Sequence, residues 1–362
     1  MKTPAPTADE QIAFLGQIER LLSEGQFVAS YKYALLVALA DLAVRHGSDD
    51  GRSLDIPVSA LGESFIELYW RHAVPYGSGI SDSGGSVLVQ NTGRQAAILS
   101  VVNELRRPCG TLSVARASSH WTTALREATR LVEDMPLWKL QRLRGETLQF
   151  LYSASPMPDH IRLGPGVAAN LRRFHGLVVR LAQSEWLRFI QSLPANASIL
   201  GPTSDLEGFL FGSERNSLLK MVEPLLDVQH GHCFYCGRDL RAGEVDHFIP
   251  WSRYPRDLAH NFVLAHGSCN RKKSNTLAAL PHLERWMQRN ADYDDAVRSA
   301  GVNAGMVVDG PGTIRVAAWA YEHAASLHAE TWLDSDRVEP LNDGWRSILG
   351  RPHNETPLPS SA

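Results

Sequence analysis

The chain has 362 residues, 44% of them hydrophobic and 21% charged, an ordinary globular composition with enough apolar residues for a sizeable core in two or three domains. A net charge of −3 argues against a surface coated for nucleic acid, and the opening MKTPAPTADEQ lacks the apolar stretch of a signal peptide. The longest apolar run in the first helices, residues 34–40, is far short of a membrane span, so no membrane association and a cytoplasmic location are expected.

In chain order, most of the first 195 residues read as helix, with apolar residues recurring at intervals of three and four. Residues 9–24 are amphipathic. Residues 30–45 are apolar nearly all round and stop at Gly47, which predicts a central buried helix. Val58, Leu61, Phe65, Leu68 and Tyr69 mark one face of the next helix, with Asp55 and Pro57 at its start. Further helices are expected over 94–106, 119–133 and 168–193, the last burying Phe174, Leu177, Val178, Leu181 and Phe189. The glycine-rich stretch 75–93 lacks the GK[ST] ending of a phosphate-binding loop and reads as a connection with a short strand. His72, His120, His175, Trp121 and Trp186 fall within helical periodicities and read as packing or surface residues.

Residues 196–212, rich in turn formers, are expected to link this helical domain to the C-terminal part of the chain. A helix over 213–229, bent at Pro224, would deliver the chain to a cysteine-rich segment. Helices carrying Leu283, Trp286 and Met287, and spanning 313–333, would come after it. The expected division is a helical domain over 1–195, a linker, a small domain over 213–290, a helical extension over 291–345 and a frayed tail over 346–362.

Three of the four cysteines, Cys233, Cys236 and Cys269, lie in that one segment, a clustering that in a reducing compartment points to metal. Cys109 stands alone and reads as a buried small hydrophobe. Cys233 and Cys236 form a CxxC, and His266 and Cys269 form an HxxC thirty residues on. Two tight turns, each presenting two donors, suit a tetrahedral Zn²⁺, and with no open position the ion would be structural. Between the pairs, EVDHFIP places Asp246 and His247 on opposite faces of a regular strand. The window 231–275 carries a charge of +3 against −6 for the rest, a positive island suited to a focused phosphate contact.

The order CxxC, Asp-His, Asn, a second ligand pair and Asn-x-x-Lys, read in "VDHFIPWSR", "HNFVLA" and "CNRKKS", resembles the HNH (ββα-metal) nucleases over about residues 229–277. The sequence departs where many zinc-bearing members have a second CxxC; His266 stands in place of its first cysteine. The resemblance implies a mainly α chain with a small ββα-metal domain. It also implies that His247 is the general base, that Asp246 and Asn270 hold one catalytic Mg²⁺ or Mn²⁺, and that Asn261 fixes the loop orienting His247. These roles match the chemistry: phosphodiester hydrolysis needs an activated water and neutralised charge, and Asp and Asn oxygens suit a hard cation.

Arg271, Lys272 and Lys273, on an expected short helix, would contact the same phosphates. Trp251, Arg253 and Arg256 interleave aromatic and cationic groups suited to nucleic acid. Equally, Arg253 and Arg256 could pair with Asp257, and Trp251 could pack beneath the unit. The expected activity is endonucleolytic, on DNA rather than RNA, as the effector of a bacterial defence or restriction system with a protein partner docked on the helical half. The contrasting reading is a zinc-clipped binding module without activity.

Overall fold

The structure, a computed structural model, describes residues 4–77, 85–143, 145–153, 159–201, 205–212 and 215–350. It is mainly α, as expected. Strands among the described residues occur only as three two-stranded antiparallel ribbons: β1 (Leu54–Pro57) with β2 (His160–Leu163), β3 (Glu244–His247) with β4 (Phe262–Ala265), and β5 (Glu330–Asp334) with β6 (Arg337–Pro340). No helix among the described residues is long and apolar enough to cross a membrane.

The described residues fall into two compact units, the first of 4–110 and 117–212, the second of 111–116 and 215–350. In the first, the helix Tyr31–His46 buries every residue from Tyr31 to Val44 and packs against the helices Val58–Tyr69, Val167–Arg173 and His175–Ser192. The preceding helix, Ala8–Glu24, begins in a capping box, in which the Thr7 amide donates to Glu10 Oε2 (2.7 Å) and the Glu10 amide to Thr7 Oγ1 (3.3 Å).

The helix expected over 168–193 is instead two helices, broken at Phe174, whose φ of −105° and ψ of 18° leave helical geometry. Its buried side also differs. Val178, Val179, Ala182, Trp186 and Ile190 face inward, Phe174 and Phe189 are half-buried, and Leu177 and Leu181 are exposed. His72, His175 and Trp186 are packed inside and His120 lies at the surface. Cys109 is half-buried rather than buried.

Residues 78–84 of the glycine-rich stretch lie outside the described residues. Beyond them, residues 85–93 form no regular strand, only an isolated bridge between Ala29 and Asn91. The stretch read as a linker carries the helix Leu206–Phe211, with Phe211 against His72 and Trp186, so these residues belong to the first core.

In the second unit the helix expected over 213–229 is interrupted, giving Arg215–Leu219 and Val222–Val228. Pro224 sits in the first turn of the latter, where its missing N–H leaves no bond unmade, so it bends nothing. The helix expected to reach residue 333 stops at Ser326. His328 adopts a φ of 51°, and the chain re-enters as β5, where Trp332 is buried. Phe248 and Trp286 stack at 4.9 Å with an interplanar angle of 6° at the centre of this unit. The frayed tail expected over 346–362 begins inside the helix Trp345–Leu349, where Leu349 is buried, while residues 351–362 lie outside the described residues.

Candidate active site and metal clip

The site is built on one ribbon and one short helix. β3 pairs with β4 in the register Asp246↔Val263 and His247↔Phe262, and the helix Gly267–Lys273 packs across β3. Strand alternation turns Asp246 into the interior and His247 to the other face.

The clip comes first along the chain. The ligand atoms of Cys233, Cys236, His266 and Cys269 all lie within 4.8 Å of one another. A tetrahedral ion with bonds of about 2.3 Å asks for donors roughly 4 Å apart, so three sulfurs and one imidazole fit a closed zinc site. Gly237, at a φ of 67°, turns the first knuckle so that its amide donates to the Cys233 carbonyl (2.9 Å). His266 Nε2 faces the Asp239 carbonyl at 3.1 Å, and Nδ1 faces Cys236 Sγ at 3.4 Å. The carbonyl can only accept, so Nε2 carries the hydrogen and Nδ1 is left as the donor to a metal.

Electrostatics pull two thiols of this cluster in opposite directions. Burial pushes the Cys236 thiol up, but hydrogen bonds with Arg238, Cys233 and His266 outweigh it and bring the group down to about 6. Cys269 is driven up to about 12 by burial and by the charges of Cys233 and Cys236. Three crowded thiolates without a cation oppose one another, and a divalent ion removes that conflict.

Across β3 lies Asp246, 8% exposed. Its Oδ2 accepts from the Tyr235 hydroxyl (2.5 Å) and pairs with Lys273 Nζ (3.0 Å). Lys273 is wholly buried and also donates to the His247 carbonyl (2.9 Å). This corrects the sequence expectation for Lys273, which is no phosphate contact at the surface but an internal counter-charge. Burial lowers its pKa while the Asp246 carboxylate beside it works the other way. Tyr235 is held well above its ordinary value, first by burial and then by Asp246, so it stays a donor.

His247 is held from three sides. Its Nε2 lies 2.9 Å from Asp257 Oδ1, and its ring packs 5.1 Å from that of Trp251 and 4.7 Å from that of Phe262. Asn261, 2% exposed, pins the chain just beyond β3. Its Oδ1 accepts from the Ile249 amide (2.8 Å), its Nδ2 donates to the Ile249 carbonyl (3.0 Å), and its own carbonyl accepts from the Phe248 amide (2.8 Å). Asn270 Nδ2 donates to Glu244 Oε2 (3.0 Å), an arrangement that commits the amide nitrogen and leaves Oδ1 as the side available to a cation.

The remaining cationic residues divide. Arg271 is exposed and lies 3.5 Å from Glu244, and Lys272 lies 3.3 Å from Asp336. The Arg253 guanidinium is largely buried, with its Nε meeting no partner, and burial depresses its pKa. Arg256 and Trp251 are half-buried, Trp251 against His247.

Sequence reasoning missed Tyr235 and Glu244, and gave Asp257 only a surface pairing with arginine. Glu244 had a signal, since it stands two residues before Asp246 and shares its strand face. Tyr235 had none, because a residue between the two cysteines of a CxxC is not marked as facing the opposite side of the ribbon.

Residues 233–276 match the family model described as HNH endonuclease. The chain therefore carries an HNH domain in this span, behind a helical N-terminal region. Neither a curated protein nor a solved structure matches the chain.

Proposed function

We propose that this protein is a metal-dependent HNH endonuclease that hydrolyses phosphodiester bonds, on DNA rather than RNA, with zinc bracing the site. The observation that carries the reading is the clamp on His247. An imidazole that faces the Asp257 carboxylate, followed by a chain that Asn261 pins through the Ile249 backbone and beside a strand neighbour that is a buried carboxylate, is a pre-organised base next to a cation site.

Asp246 Oδ1 and Asn270 Oδ1 would hold one Mg²⁺ or Mn²⁺; the fit rests on hard oxygen donors whose other polar atoms are already committed, Asp246 Oδ2 to Tyr235 and Lys273 and Asn270 Nδ2 to Glu244. When bound, the ion would neutralise charge on the scissile phosphate and on the leaving oxygen. His247 takes a proton from a water whose oxygen bonds to phosphorus. The P–O3′ bond breaks and the 3′ oxygen is protonated from solvent, giving 5′-phosphate and 3′-hydroxyl ends. Arg271, Lys272, Arg256 and Trp251 would supply the positive and aromatic surface along which the strand lies, whereas the largely buried Arg253 guanidinium is turned away from it.

A role as effector of a bacterial defence or restriction system, triggered by a partner on the helical unit, rests on the pairing of a small nuclease domain with a large helical one. The rival reading, a zinc-clipped binding module, draws on the Lys273–Asp246 pair, which already supplies Asp246 with a positive charge.

The test is cleavage of plasmid, single-stranded DNA and RNA by purified protein with Mg²⁺ or Mn²⁺, alongside His247→Ala. Cleavage by wild type and none by the variant is expected, with both binding DNA equally. Binding without cleavage in both proteins favours the rival, and undiminished cleavage by His247→Ala defeats the proposed mechanism.

A further inference from the structure

His247 is the last residue of β3, and Asp257 lies ten residues on, just ahead of the short helical turn Ala259–Asn261. Both ends of the intervening loop are anchored. At the start, the Phe248 and Ile249 amides bond to Asn261. At the end, Leu258 forms a parallel bridge with Val307 and is buried. Inside the loop, the Arg253 amide donates to the Pro250 carbonyl (2.9 Å), and Tyr254 is buried at 1% exposure. A loop fixed in this way delivers a carboxylate to one imidazole nitrogen as a defined contact. The two side chains are only 13% and 20% exposed, so solvent competes weakly for it.

We propose that Asp257 is a positioning residue for the reaction assigned above, acting through His247; the inference rests on that assignment. A carboxylate accepts and does not donate, so Nε2 facing Asp257 Oδ1 at 2.9 Å must carry the imidazole hydrogen. Nδ1 is then the nitrogen with the free lone pair, and it is the one that receives the proton of the attacking water. The same contact opposes rotation of the ring, which Trp251 and Phe262 already flank. Once Nδ1 is protonated, Asp257 faces an imidazolium and stabilises it.

Asp257 thus acts twice, as orienter before proton transfer and as counter-charge after it. Neither role touches substrate, and neither depends on the Asp246–Asn270 pair. Its loss should therefore be felt in turnover and leave binding and metal content alone.

The experiment uses the full-length zinc-loaded protein and a plasmid substrate. Asp257→Ala and Asp257→Asn should each lower kcat about 10–100-fold, with KM within about twofold and zinc content unchanged, and Asp257→Glu should recover part of the loss. A second arm is independent of cleavage: in protein labelled with ¹⁵N-histidine, the His247 signals should report hydrogen on Nε2 in the wild type, with the slowly exchanging Nε2 proton lost in Asp257→Ala. An Asp257→Ala protein that turns over at the wild-type rate while His247→Ala is dead overturns this proposal alone. So does a wild-type spectrum with hydrogen on Nδ1. Undiminished cleavage by His247→Ala overturns the assigned base and this proposal together. If no substrate is cleaved, the spectrum decides whether Asp257 fixes the tautomer.

Discussion

Lys273 and Asp246 form an ion pair in the interior, Nζ to Oδ2 at 3.0 Å, with the lysine wholly buried and the carboxylate nearly so. Breaking one side of such a pair leaves a charge without its partner, at a cost of about 3–5 kcal/mol. Lys273→Ala should therefore lower the melting temperature of the second unit and remove cleavage. Arg271→Ala and Lys272→Ala, at exposed positions, should change stability by no more than about 0.5 kcal/mol. Each of those two should instead reduce the salt dependence of DNA binding by roughly one unit of slope. Thermal melts and salt titrations of the three variants separate the internal lysine from the external pair.

Asn261 spans two backbone groups of Ile249 that no water reaches. Asn261→Ala should orphan both, at roughly 1–3 kcal/mol each. Asn261→Asp keeps the shape but sets a carboxylate oxygen against the Ile249 carbonyl, and should do no better. In both variants kcat should fall more than KM rises, because the loop after His247 loosens. A KM effect alone, measured on plasmid, would assign Asn261 to substrate contact instead.

The clip predicts about one tightly held zinc per chain. Cys269→Ser should lose the metal and lower the melting temperature, whereas His266→Cys should keep the metal, because a fourth thiolate is an acceptable donor. Removal by a strong chelator should reproduce the Cys269→Ser melting curve. Metal analysis of the three proteins checks this; unchanged zinc in Cys269→Ser contradicts the clip.

His72 gives the first unit a pH response. Its Nε2 faces the Leu210 carbonyl (3.1 Å) and its Nδ1 faces Gln90 Nε2 (3.3 Å), so the buried ring works as the neutral form. Burial, with Arg71 adding to it, draws its pKa down to about 3 from 6.5. Between those values the unfolded chain binds the proton and the folded chain does not, so stability falls as pH drops from 6.5 towards 3 and is unaffected by this group above 6.5. The loss should reach about 2 kcal/mol at pH 5. His72→Gln, which can still donate to Leu210, should lack that share of the difference between urea unfolding at pH 8 and pH 5.

The Cys233, Cys236, His266 and Cys269 cluster is legible in the sequence because its geometry is local: two residues on one turn face the same point whatever the rest of the chain does. The central helix 30–45 is legible for a similar reason, its apolar residues leaving no polar face. Lys273 misleads because a run of three cations looks like a solvated face. Helical spacing holds the answer, since Asn270 and Lys273 are three apart and a helix that turns one towards β3 turns the other with it. The break at Phe174 and the exposure of Leu177 and Leu181 are not legible, because periodicity marks which residues are apolar and not which side the neighbouring helices occupy.

Thr111–Arg116 belongs to the second unit although it is inserted within the sequence of the first. Leu112 and Ala115 are buried there, and Ser113 Oγ donates to the Val302 carbonyl (3.0 Å). The HNH-bearing unit is therefore not encoded as one uninterrupted stretch. Recombination at a single junction near residue 213 would transplant it without one of its own helices, exposing the surface around Val302 and Gly305 that this hexapeptide covers. A transferable version needs residues 111–116 supplied in trans or grafted back by permutation of the chain.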